Sequence, residues 1–413
     1  MDGYPEDCSG TTRQVLVSRQ AIYTPQLEVM AYTLCFPSEA DASGDGEHDY
    51  RTLLQGILTS FLDIGLEDFT ENKPAFLPCT RGLVLMGTVT VFPPARVVLA
   101  LPATYWGDGE LCAALSELAA RGYAIALADD LVHDPMLPYA EHAAFLTLDV
   151  SAMDRPALQQ RVTCLRQYPL PLVALHVQTW DDFRYCRDLG FAYFHGAFLC
   201  QPDVRHSQRL PTHRLALLDV LAKLQDPLVT VDTITELISR DVALSYRLLH
   251  AINTAWYGQS RPVHSLQQAV RLLGLTAITR WTSMLLLTDI HDKPSELMTI
   301  AMVRAKMCEW LAHVLGPEHT ASAFLVGLLS VLDALLDRPM PELLQRLPLA
   351  AALHWALVEH AGDLGAILHS VLAYEQGKWE EAIALGLDQD LIVDAYLRAI
   401  AWAVATRETL GWV

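Results

Sequence analysis

The chain has 413 residues, with 48 acidic against 29 basic side chains and a formal net charge of −19. That length exceeds one ordinary core and points to two domains. Both halves carry an acid excess, and no basic run supplies the phosphate footprint that a nucleic-acid or anionic-membrane binder needs.

The N-terminal MDGYPEDCSG is acidic and polar, the opposite of the basic start of a signal peptide. The most apolar stretch, Leu83 to Trp106, is interrupted by Pro93, Pro94, Arg96 and Pro102 and reads as buried strands, not a membrane span. Cys8, Cys35, Cys79, Cys112, Cys164, Cys186, Cys200 and Cys308 form no C-x-x-C pair. They are expected to be reduced core cysteines of a cytoplasmic protein without membrane insertion.

Up to about residue 200, apolar runs without alternation occur at Val15–Ile22, Glu28–Phe36, Arg96–Leu101, Ala124–Ala128, Phe145–Val150 and Leu172–Val177. Between them lie helical patterns at Tyr50–Leu62, Gly109–Arg121 and Thr179–Leu189. Strands apolar on both faces predict a parallel α/β sheet or barrel. Ser38–Asp49 is small, polar and acidic, and reads as a loop.

The stretch Gln201–Thr212 is polar and proline-containing, so it marks the domain junction. Beyond it the pattern is helical throughout. Thr233 and Glu236 have capping-box spacing, as do Ser265 and Gln268, with Gly274 as a helix stop. Further helices are expected over Pro294–Leu315, Ala321–Leu336 and Asp388–Leu410. Trp256, Trp281, Trp310, Trp355, Trp379, Trp402 and Trp412 should mostly fill the core, with one or more exposed on an apolar patch.

The segments SRQAIYTPQLEVMAYTL, NKPAFLPCTRGLV, RVVLALPA, ELAARGYAIALADDLVHDP, AAFLTLDV, LVALHVQTWDDF and LGFAYFHGAFLCQP follow one another across residues 13–202. In that order they resemble the EAL cyclic-di-GMP phosphodiesterases, in the variant fused to HDOD. The resemblance implies a (β/α) barrel, here incomplete or distorted, with divalent cations at the strand ends activating a water. Along the family's motifs, the metal-binding glutamate of E-x-L falls on Thr33 and the nucleotide-binding arginine on Pro37. The asparagine ligand falls on Pro78, the next strand's glutamate on Ala100, and the lysine of K-x-D on Thr147, with its aspartate kept as Asp149. The catalytic-base glutamate falls on Leu175 and the following glutamine on His195. The D-D-F pair falls on Ala128 and Asp129 without a gap, or on Asp129 and Asp130 with one inserted residue.

Residues from about 206 to 410 resemble HDOD, the non-catalytic relative of the HD phosphohydrolases. The resemblance rests on VTVDTITELISRDVALSYRLLHAINTAWYGQSRPVHSLQQAVRLLGLTAITRW, FLVGLLSVLDALLDRPMPELL and ALVEHAGDLGAILHSVLAYEQGKWEEA. The family's metal-binding His-Asp pair falls on Ser330 and Val331. His250, His354, His360 and His369 lie within helical patterns at no ligand spacing.

These losses lead to an expected division into a degenerate EAL-like domain, 1–203, and an HDOD domain, 204–413. The expected function is a non-catalytic bacterial adaptor acting through protein partners; the resemblance implies a place in cyclic-di-GMP signalling, regulating motility, surface behaviour or virulence. No catalytic residue, metal or cofactor is expected. A cyclic-di-GMP sensor that does not cleave and a residual phosphodiesterase are the alternatives; the oligomeric state is not readable.

Overall fold

The structure, a computed structural model, describes residues 15–37, 65–102, 108–129, 140–204, 212–225, 229–255, 263, 265–288, 290, 292–316, 319–347 and 349–409. Eight strands come first: β1 Ser18–Tyr23, β2 Val29–Cys35, β3 Ala75–Pro78, β4 Val97–Leu101, β5 Ala124–Asp129, β6 Phe145–Asp149, β7 Leu172–Leu175 and β8 Tyr193–His195. They close a barrel in chain order. From β2 to β8 each neighbour is parallel, while β1 is antiparallel to both β2 and β8. The departure from a regular β/α barrel therefore lies in the reversed β1 and its register shift at Ile22/Tyr23. The ring itself is complete.

Barrel helices are α1 Leu66–Phe69, α2 Arg81–Leu85, α3 Gly109–Ala120, α4 Arg155–Leu165 and α5 Trp180–Asp188. Asp108, Asp154 and Thr179 cap α3, α4 and α5 by accepting first-turn amides, the role short oxygen side chains fill at helix starts. The strands read as unbroken apolar runs because they are buried twice. Ile22, Ala31, Phe76, Val98, Ala126 and Val173 fill the barrel interior. The opposite faces join one core that continues into the helical half. The expected loop at Ser38–Asp49 and helix at Tyr50–Leu62 lie outside the described residues.

The remainder is helical: α6 Thr212–Leu224, α7 Val231–Ser239, α8 Val242–Ala255, α9 Leu266–Leu273, α10 Leu275–Thr288 and α11 Ser295–Leu315, then α12 Thr320–Leu329, α13 Leu332–Leu336, α14 Met340–Leu344, α15 Ala351–Glu359, α16 Gly362–Glu375, α17 Trp379–Ala382 and α18 Gln389–Thr409. Ser265 caps α9 as expected. The cap of α7 is Thr230, three residues before the expected Thr233, whose amide Thr230 Oγ1 accepts. The helix expected over Ala321–Leu336 is two helices, parted at Ser330–Val331. Ser330 Oγ donates to the Gly327 carbonyl, competing with continuation of the helix. Gly327 lets α12 lie against α11, since a Cβ there would sit 2.4 Å from the Arg304 carbonyl oxygen. Trp355 is 55% exposed on α15.

Candidate functional site

The C-terminal ends of the parallel strands make the barrel mouth, and the register sorts the positions singled out by sequence. Pro78 pairs with Ala100, Ala128 with Thr147, and Asp149 with Leu175. Ala100 and Leu175 pack on the interior cluster, so these two interior positions at the mouth are apolar. Thr33 lies opposite Gln20 of β1, and Pro37 follows the end of β2, half-buried. Ala128 continues the interior register of Ala124 and Ala126; Asp129 is the last residue of β5, paired with Leu148. Asp130 lies outside the described residues.

What the mouth does hold is a small polar chain. Asp149 Oδ1 accepts from both the amide (2.9 Å) and the hydroxyl (2.7 Å) of Ser151, while Oδ2 lies 2.9 Å from His176 Nδ1. Partial burial pushes the Asp149 carboxyl up, but Ser151 and His176 outweigh it and hold it below the ordinary carboxylate range. An ionised carboxylate only accepts, so His176 Nδ1 carries the proton of this contact. His176 has φ 58, in the left-handed region that non-glycine residues adopt at a cost of about 1–2 kcal/mol. The Val177 amide, bonded to the His195 carbonyl at 2.9 Å, holds the chain there. Sequence reasoning passed over His176, whose neighbour Leu175 drew the motif comparison.

The His195 ring stands 5.7 Å from that of His176, edge to face. Its Nε2 lies 2.7 Å from Gln20 Oε1, and its buried Nδ1 has no hydrogen-bond partner among the described residues. Burial, with help from His176, pushes the ring down to about 3, so it is neutral at physiological pH.

A hard dication such as Mg²⁺ requires several oxygen ligands. Among the described residues no cluster of three or more His, Cys, Asp or Glu side chains could hold one. Asp149 already shares its oxygens with Ser151 and His176. The described donor set does not fit the metal pair that the EAL resemblance implies.

At the HD position of the helical half, Ser330 Oγ lies 3.3 Å from an Arg304 nitrogen, and Arg304 Nε donates to Glu375 Oε2 at 2.8 Å. Asp333 sits beside them, its carboxyl pushed up to about 6, chiefly by burial, against the Ala334 amide and Arg304. The folded state thus binds a proton that the unfolded chain has already lost between pH ~4 and ~6. Stability falls as pH rises through that window and stays lowered above it. Asp333→Asn should remove a penalty on the order of 3 kcal/mol at pH 8 and change little near pH 4. Thermal melts at the two pH values check this; equal shifts at both would refute it.

The HDOD domain family matches residues 210–368. The protein YuxH of Bacillus subtilis, whose name assigns it no activity, is 30% identical over 406 residues, covering 94% of this chain and 98% of its own. The cyclic di-GMP phosphodiesterase CdgJ of Vibrio cholerae is 28% identical over 411 residues, covering 96% of this chain and 94% of its own. Among solved structures, the EAL-domain protein YkuI of Bacillus subtilis, in complex with cyclic di-GMP and calcium, aligns with 63% of this chain and 73% of its own at 18% identity and TM-score 0.38.

The CdgJ match corrects the expectation of a non-catalytic adaptor that is no enzyme. A relative matched almost end to end is named a cyclic di-GMP phosphodiesterase. Loss of the motif residues does not empty the mouth of polar groups, since Asp149 and His176 pair there. No described helix is long and apolar enough to cross a membrane. With YuxH matched along nearly its whole length and the HDOD match in the helical half, this chain belongs to the EAL–HDOD family.

Proposed function

We propose that the chain is a cyclic-di-GMP phosphodiesterase working at the barrel mouth, with residues 1–203 forming the EAL-like domain and 204–413 the HDOD domain. The observation that carries the reading is the Asp149–His176 pair, 2.9 Å apart at the ends of β6 and β7. Asp149 orients the ring and stabilises its protonated form, leaving Nε2 to take a proton from an attacking water. The water oxygen bonds to phosphorus, one bridging P–O bond breaks, and the ring's proton passes to the departing ribose oxygen. The name of CdgJ supports the substrate. The division of the chain is supported by β8 ending at His195 and α6 beginning at Thr212.

Incubation with cyclic di-GMP, followed by chromatography, should give the linear dinucleotide above a no-enzyme blank. His176→Ala should lower the rate by about 10²–10⁴-fold, the usual contribution of a positioned general base. Absence of both product and binding overturns the proposal. A second reading, binding without cleavage, is favoured by the apolar interior positions Ala100 and Leu175. Calorimetric binding without linear product would establish it in place of hydrolysis.

A further inference from the structure

Two hydrogen-bonded stretches, joined through the covalent frame of Glu375, lead from the barrel mouth into the helical half. Gln20 Oε1 faces His195 Nε2 at 2.7 Å, and Gln20 Nε2 donates to the Glu375 backbone carbonyl, also at 2.7 Å. Glu375 ends α16; its carboxylate is held by Arg304 of α11 at 2.8 Å. Arg304 in turn reaches Ser330 Oγ at 3.3 Å and the Cys200 sulfur of the barrel at 3.6 Å. The same edge of the barrel is pinned by Tyr374, whose hydroxyl donates to the Val17 carbonyl at 2.9 Å, and by Tyr396, which accepts the Arg19 amide at 3.1 Å.

The chemistry of an amide makes this line directional. A carbonyl only accepts, so contact with Glu375 fixes Gln20 Nε2 on the helical side and Oε1 on the barrel side. Gln20 Oε1 is likewise only an acceptor, so His195 must carry its proton on Nε2. Its Nδ1 is then a lone-pair acceptor, buried and unpartnered among the described residues. A buried acceptor left unsatisfied is unfavourable until a donor arrives, and a ligand N–H or O–H is such a donor.

We propose that the helical domain sets the barrel mouth through this line: Gln20 is a positioning residue that keeps His195 in one tautomer, and Arg304 positions Gln20 through Glu375. This inference rests on the proposed cyclic-di-GMP site for its biological meaning, but its physical content can be read without ligand. Arg304 occupies the neighbourhood of the HD position, Ser330, so the helical half uses that place for a guanidinium contact that bears on the other domain.

The test uses the full chain labelled with ¹⁵N-histidine, since long-range ¹H–¹⁵N spectra distinguish the two tautomers. In the wild type His195 should show a protonated Nε2 and an acceptor-type Nδ1. Gln20→Leu, a near-isosteric change, should release the ring into mixed tautomers and weaken cyclic-di-GMP binding about tenfold. Arg304→Lys keeps the charge but loses the fork, and should move the His195 signals in the same direction. Should Arg304→Lys fail to fold, Gln20→Leu together with Glu375→Gln, which weakens the same contact, carries the test. His195 signals unchanged in folded variants of both kinds would overturn the coupling. If the signals follow Arg304 while the wild type neither binds nor cleaves cyclic di-GMP, the coupling stands and the proposed function falls.

Discussion

Replacing Arg19 by methionine should lower the unfolding free energy by roughly 3–5 kcal/mol, the usual result of removing one partner from a buried ionic cluster. Arg19 is 8% exposed and bonds Glu71 at 2.7 Å and the Phe69 carbonyl, with its guanidinium 4.3 Å above the Tyr32 ring. Arg407 of α18 approaches Glu71 at 2.5 Å from the other side. Burial pushes Glu71 up, but the two arginines outweigh it and hold it below its ordinary value. Tyr32 lies 3.2 Å from both Glu71 and Glu296, yet has one proton to donate. Burial above all pushes Glu296 up to about 7.

The sign of the pH dependence follows. Between pH ~4.5 and ~7 the folded state holds a Glu296 proton that the unfolded chain has lost, so this group destabilises increasingly as pH rises through that range. Without Arg19 the ionised Glu296 has less to face, so the loss in Arg19→Met should be larger at pH 8.5 than at pH 6. Urea unfolding at the two pH values measures it. A loss under about 1 kcal/mol at both would show that Arg407 alone satisfies the cluster. Adding Glu71→Gln to Arg19→Met should recover part of the loss, because it removes one of the stranded charges.

The cluster also marks where sequence reasoning stops. Periodicity and punctuation located the helix Ser295–Leu315 and the strands β4, β5 and β6 within a residue or two, because each signal is local. The strands Ala75–Pro78 and Tyr193–His195 did not stand out by patterning, being four and three residues long, too short for a period to show. Ala100 and Leu175, which pack on the interior cluster, are among the positions that the EAL motifs single out. The polar chain was not legible in the sequence. Gln20 and Glu375 are 355 positions apart and Tyr32 and Glu296 are 264 apart, so no window contains both members. His176 was hidden differently: it follows Leu175, where the EAL resemblance places the catalytic base, and becomes informative only once its left-handed backbone and its Asp149 partner are seen together.

That backbone gives the second large effect. Gly196 follows His195 with φ +150, and a Cβ placed on it would lie 2.1 Å from the Val177 carbonyl oxygen and 2.5 Å from the Val177 nitrogen. Both are main-chain atoms already engaged: the Val177 amide donates to the His195 carbonyl at 2.9 Å, and its carbonyl accepts from Phe198 at 3.2 Å. No flexible side chain can yield, so in Gly196→Ala the Val177 segment must move. His176 precedes Val177 directly and moves with it. The expected loss of stability is about 2–4 kcal/mol, from strain and overpacking together. On the proposed mechanism, turnover of cyclic di-GMP should fall by about 10²-fold, because a displacement near 1 Å removes a base from its attack geometry. Gly190→Ala is the control: it also has positive φ, +88, but a Cβ there meets nothing within 4 Å. It should lose about 1 kcal/mol with turnover unchanged. Stability from denaturant unfolding and rates from product formation separate the two variants. If Gly196→Ala is destabilised while keeping wild-type turnover, the position of His176 does not govern the reaction and the Asp149–His176 pair is not its base.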